Sequence, residues 1–195
     1  MCIRDRDRKT QALNAFKRAS QVRKKTELSA EAHFQYAKLT FDLKLSYTSV
    51  PEVLDSFIKA YPEDSRRKEV EQWWLSALLQ EKNYQAVIEY LYGEGKDPNG
   101  LSQNQRDALQ RAFFFKGLSA YQGGSARQAM DDFNRSHSLN EHTLLAARAT
   151  YWRAVMFNES GAFDSALKLL LKLKAHDAFQ PVSYTHLTLP TILRV

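Results

Sequence analysis

The chain is poor in most of the features that announce a chemistry. Its single cysteine, Cys2, among 195 residues excludes an intrachain disulfide and a multi-thiolate metal site. Only seven glycines and five prolines interrupt it, too few for a loop-rich fold. No apolar run reaches the roughly 18 residues that a membrane-spanning helix needs. The apolar–polar alternation of half-buried strands is also missing. Charge of either sign is hardly in excess: 28 Lys and Arg face 22 Asp and Glu, a formal charge of +6. The two signs are interspersed, and the one basic concentration is Arg18, Arg23, Lys24 and Lys25. That is milder than the basic face of a nucleic-acid-binding domain, and it argues against nucleic acid as the partner. There is no H-E-x-x-H, no G-x-S-x-G and no phosphate-cradling glycine loop.

What is present is helical spacing of apolar residues. Phe34, Ala37 and Phe41 form one set, Trp74, Ala77 and Leu78 another, and Leu167, Leu170 and Leu171 a third. Each set marks one face of an amphipathic helix. Short turn signals separate the helices: "SYTSVP" at 46–51, "YPEDS" at 61–65, "GEGKDPNG" at 93–100, "QGGS" at 122–125, "SLNEH" at 138–142 and "ESGAF" at 159–163. An all-α chain is expected from this spacing, with about nine helices once its repeat is counted.

The helices also repeat. A small or β-branched residue followed four positions later by a large apolar one occurs as Ala12/Phe16, Val53/Phe57, Val87/Leu91, Ala129/Phe133 and Ala166/Leu170. Successive pairs are 41, 34, 42 and 37 residues apart. The segment "FFFKGLSAYQGGSARQAMDDFNRS" at 113–136 resembles a tetratricopeptide repeat (TPR). Gly117 stands where the first helix needs no bulk, Gly124 marks the turn, Ala129 lies between the helices and Phe133 fills the groove. Segments 151–173, 73–91 and 36–62 resemble the same unit, and "QALNAFKRAS" at 11–20 resembles its second helix. The resemblance implies an all-α, right-handed α-solenoid of stacked antiparallel helix pairs, in which each hairpin buries its neighbour's apolar face. The "AYP" ending and the longer loops are similar to bacterial cell-envelope TPR proteins. This implies a periplasmic or outer-membrane-associated setting, with the cytoplasm as the alternative.

Both ends resemble translated sequencing-adapter sequence: residues 1–6, "MCIRDR", and 182–195, "VSYTHLTLPTILRV". The expected native segment is therefore 7–181, a TPR-like fragment truncated at both ends. Without the adapter-like charges it carries 25 basic and 21 acidic residues, a net +4. The last helix is then expected to expose an apolar patch around Leu169, Leu170 and Leu173.

No catalytic set and no cofactor site is expected. His33, His137, His142 and His176 are scattered, and no carboxylate pair joins His137 and His142 in a metal site. The aromatic runs "QWW" at 72–74 and "AFFFKG" at 112–117 read mainly as core. In a TPR unit, the first helices line a concave groove. Counting back from the small residues puts Arg111, Phe114, Tyr121, Arg148, Tyr151 and Asn158 on that face, with Gln72 from an earlier unit. Arginines, aromatics and amides suit a protein or peptide ligand. The carboxylate clamp of some TPR proteins is absent, because its places hold Ala37, Phe41, Trp73, Phe114 and Leu118. The expected function is a non-enzymatic scaffold for protein–protein interaction. The alternative is the partner-presenting region of a larger enzyme whose catalytic domain lies outside this segment.

Overall fold

A computed structural model of the chain describes residues 3–22, 26–45, 47–94, 100–139 and 143–174. The adapter-like residues 182–195 lie outside the described residues, as do His142 and His176. Among the described residues every extended regular element is an α-helix, nine in all. The chain divides into two compact units, with the boundary between Asn83 and Tyr84.

The first unit holds α1 (Ile3–Ser20), α2 (Glu27–Leu43), α3 (Val50–Ala60) and α4 (Arg67–Gln80). α1 begins at Ile3, so four of the six leading adapter-like residues continue that helix. Start signals are local and polar. Thr26 and Ser29 close a capping box on α2, with N–H···O distances of 3.2 and 2.8 Å. Ser49 caps α3, and Pro51 sits in its first turn, where a missing N–H costs nothing. Each helix packs on the next, and α2 also touches α4. The core shared by α2, α3 and α4 is Phe34, Ala37, Leu54, Phe57, Ile58, Val70 and Ala77, with Trp73 and Trp74 packed against it.

The second unit holds α5 (Tyr84–Tyr92), α6 (Gln103–Gln122), α7 (Ala126–Leu139), α8 (Thr143–Glu159) and α9 (Phe163–Lys174). Ser102 and Gln105 form the capping box of α6. Neighbouring helices again pack in order, and α6 also touches α8. The core is Phe114, Ala129, Phe133, Leu145, Ala149 and Met156. Gln110 and Ser136, both fully buried, tie α6 to α7 through reciprocal side-chain-to-carbonyl bonds of 3.1 Å.

One turn geometry recurs. After α4, α6 and α8 a single residue takes the left-handed conformation: Lys82 (φ 59°), Gly124 (φ 77°) and Gly161 (φ 81°). The next N–H then reaches back five residues: Asn83 to Leu78, Ser125 to Ala120 and Ala162 to Phe157, at 2.8–2.9 Å. This closes the helix end in the manner of a Schellman motif. Each left-handed residue lies five positions before a buried small or β-branched residue: Val87, Ala129 or Ala166. The sequence period therefore reappears in backbone geometry.

The end of α9 differs in detail from the sequence expectation. Leu173 is buried, and Leu169 and Leu170 are half-buried, because that side of the helix lies on α8. The exposed apolar stripe is Phe163, Leu167 and Leu171, one turn apart along the other side.

Candidate functional site

In the second unit α6 and α8 lie side by side and carry six of the seven residues assigned to the groove. Tyr121, near the end of α6, donates its hydroxyl to Glu159 Oε1 on α8 at 2.6 Å. The carboxylate that accepts this proton, with some burial, pushes the Tyr121 pKa up to about 12. The Tyr121 ring lies 5.1 Å from that of Trp152, and Tyr151 meets Trp152 edge-on at 5.9 Å. Trp152 in turn stacks at 8° on Phe133 of α7. Tyr121 and Tyr151 are thus held by a tryptophan anchored in the core.

The polar residues of this face are less constrained. Arg111 Nε binds Asp107 Oδ2 one turn earlier, at 2.7 Å. Arg148 is exposed, and Asn158 is half-buried. Phe114 is a core side chain, 4% exposed, against Phe133 and Phe115. It offers no open surface, because α5, α7 and α8 all pack on α6. Sequence reasoning missed Trp152 and Glu159. Their seven-residue spacing on α8 is the signal that puts them on one side of that helix.

Gln72 belongs to the first unit, exposed on α4. Beside it, Trp73 stacks between two phenylalanines of α2: Phe34 at 5.8 Å and Phe41 at 5.6 Å. Cations cover both ends of this ladder. The Arg66 guanidinium lies 4.6 Å over Phe34, and Lys44 Nζ lies 5.7 Å over Phe41. Arg66 is fixed by Asp64 at 2.8 and 2.9 Å and also pairs with Glu31. The ion pairs raise its pKa and lower that of Asp64, while Glu31 is lowered first by a hydrogen bond from Gln35 and then by Arg66. Lys44 donates to Gln80 at 2.8 Å. A cleft of about 630 Å³ opens beside this end, lined by Phe41, Lys44, Tyr47, Val50, Ala77 and Gln80 among others.

One pair has the composition of a nucleophile and its base. His33 Nε2 lies 2.9 Å from Ser56 Oγ. The Ser56 hydroxyl, however, donates to the Val53 carbonyl at 2.6 Å. Its only proton is used there, so Ser56 accepts from His33 and is not activated. Burial lowers the His33 pKa. Among the described residues no group of three His, Cys, Asp or Glu is placed to hold a metal ion. No described helix is long and apolar enough to cross a membrane.

The arrangement in the second unit offers aromatic rims, an amide and two arginines along adjacent helices. These are groups that hold a chain by contact and hydrogen bonds. No family model, curated protein or solved structure matches the chain.

Proposed function

We propose that the chain is a non-enzymatic scaffold of TPR type, a right-handed α-solenoid that binds a protein or peptide through the face shared by α6 and α8. The carrying observation is the recurrent left-handed turn at Lys82, Gly124 and Gly161, each five residues before a buried small or β-branched residue. A fixed turn in register with a fixed packing position supports a repeating hairpin. The contact of α6 with α8, past the intervening α7, supports a surface built from alternate helices. On it, Tyr121, Tyr151 and Trp152 supply rigid contact area at low entropy cost, and Arg111, Arg148 and Asn158 supply hydrogen bonds. The cell-envelope setting belongs to the same proposal and rests on the "AYP" ending and loop lengths.

The test uses peptides selected from a random-peptide display library on the whole chain. Replacing Arg111, Tyr121, Arg148 and Tyr151 together with alanine should weaken the selected peptides at least tenfold, about 1.4 kcal/mol, with helicity unchanged. Undiminished binding by that variant refutes this face as the recognition surface.

A further inference from the structure

The first unit, taken by itself, holds a cleft that the proposed peptide face does not use. About 630 Å³ of space opens where the ends of α2 and α4 meet the start of α3. That volume suits a small molecule rather than a lone ion or water. Its apolar lining includes Phe41, Val50 and Ala77, side chains continuous with the core of this unit. Tyr47, in the loop between α2 and α3, lines the same cleft and is 69% exposed.

An ammonium group is already part of the lining. Lys44 Nζ lies 5.7 Å over the Phe41 ring and donates to Gln80 Oε1 at 2.8 Å. Gln80 Nε2 donates to Ser76 Oγ at 3.3 Å, so the amide is held with its oxygen toward Lys44. That oxygen has a second lone pair for another donor. Lys44 also ends α2 in the left-handed conformation, φ 46°, where glycine is the usual residue. Nothing in the backbone there calls for a long cationic side chain.

Charge decides which ligand the cleft takes. Glu52 and Glu81 line it too, and both are exposed. Neither carboxylate is paired with another described residue. Two carboxylates against Lys44 leave one formal negative charge. The C-terminal ends of α2 and α4 add partial negative charge there, and the N-terminal end of α3 adds partial positive charge. An anion would deepen this imbalance, a neutral ligand would leave it, and a single cation cancels it.

We propose that this cleft binds a small primary amine in its ammonium form, carried on a flat apolar body. The body covers Val50, Ala77 and the Tyr47 ring. The ammonium donates to Glu52 or Glu81 and to the free lone pair of Gln80 Oε1. These acceptors call for N–H donors, which a quaternary ammonium lacks.

The experiment titrates the whole chain at neutral pH with phenethylamine, phenethyl alcohol and hydrocinnamate, three ligands of one shape and different charge. The NMR signals of Phe41, Val50 and Ala77 report occupancy. Phenethylamine should shift them saturably, the alcohol should bind about tenfold more weakly, and the carboxylate more weakly still. Changing Glu52→Gln and Glu81→Gln together should weaken phenethylamine at least about tenfold and leave the alcohol unchanged. Lys44→Gly suits the left-handed backbone and removes the resident cation, so it should bind phenethylamine at least as tightly as wild type. The proposal is overturned if phenethylamine gives no saturable shift, or if the alcohol or hydrocinnamate binds as tightly. Unaltered affinity in the double glutamine variant, or weaker binding in Lys44→Gly, overturns it as well.

Discussion

Gly117 of α6 stands so close to Phe133 of α7 that a Cβ at position 117 would lie 3.1 Å from Phe133 Cδ1 and 3.2 Å from Asp132 Cβ. Phe133 is fully buried and has nowhere to move. In an exposed helix interior, Gly→Ala gains up to about 1 kcal/mol. Here the overpacking cost of about 1–3 kcal/mol exceeds that gain. Gly117→Ala should lower stability by about 1 kcal/mol, and Gly117→Val by more, measured by urea denaturation. A stabilised Gly117→Ala would show that α6 and α7 are farther apart.

The Tyr121–Glu159 bond predicts a spectroscopic change. With Glu159 accepting its proton, Tyr121 should ionise near pH 12. Glu159→Gln removes the charge and should return the phenol toward its ordinary value of 10. Ultraviolet difference titration, with the other tyrosines as internal reference, reads the shift. An unchanged titration curve would mean that the two side chains do not meet.

Lys116 predicts a pH-dependent loss. Asp132 is buried, its Oδ2 has no partner, and Lys116 Nζ lies 3.8 Å from Oδ1. Burial raises the Asp132 pKa despite Lys116. Lys116→Met should therefore cost about 1–2 kcal/mol at neutral pH, since it leaves the buried carboxylate with only the charge of Arg135 to offset it. The penalty should shrink as pH falls and Asp132 takes up its proton. A cost that is the same at about pH 3 and about pH 7 would remove charge as its cause.

Acid should also act through His33. Its folded-state pKa lies below the ordinary 6.5 because the ring is buried. Between those two values the unfolded chain binds a proton that the folded chain does not. Stability is therefore held above pH 6.5 and falls as pH drops through the folded-state pKa. His33→Gln keeps a donor toward Ser56 and should flatten that part of the urea-midpoint profile. His137, also depressed, contributes the remainder.

Much of the fold was legible because it is written locally. Gly124 and Gly161 mark turns that side-chain-bearing residues seldom adopt, and Ala129 and Ala166 are buried where the repeat puts them. The division at Asn83 was not legible, since the helical period runs through it unchanged. The site was read less well. Phe113, Phe114 and Phe115 point to three sides of one helix, and the period alone does not say which side α7 covers. The structure buries Phe114 and leaves Phe115 37% exposed, stacked on Tyr84. Trp73 packs on α2 as the core reading of "QWW" expects, whereas Trp152 escaped for a related reason. Its partners lie on other helices, and the rotation of one helix against another is set by tertiary packing.

The most direct test asks whether α6 and α8 are neighbours, because the proposed binding face exists only if they are. Nuclear Overhauser effects in the aromatic region report this. With ring centroids 5.1 Å apart, Tyr121 and Trp152 should give strong cross-peaks, and Trp152 should also give them to Phe133. A well-folded, fully assigned spectrum with no Tyr121–Trp152 cross-peak would contradict the account.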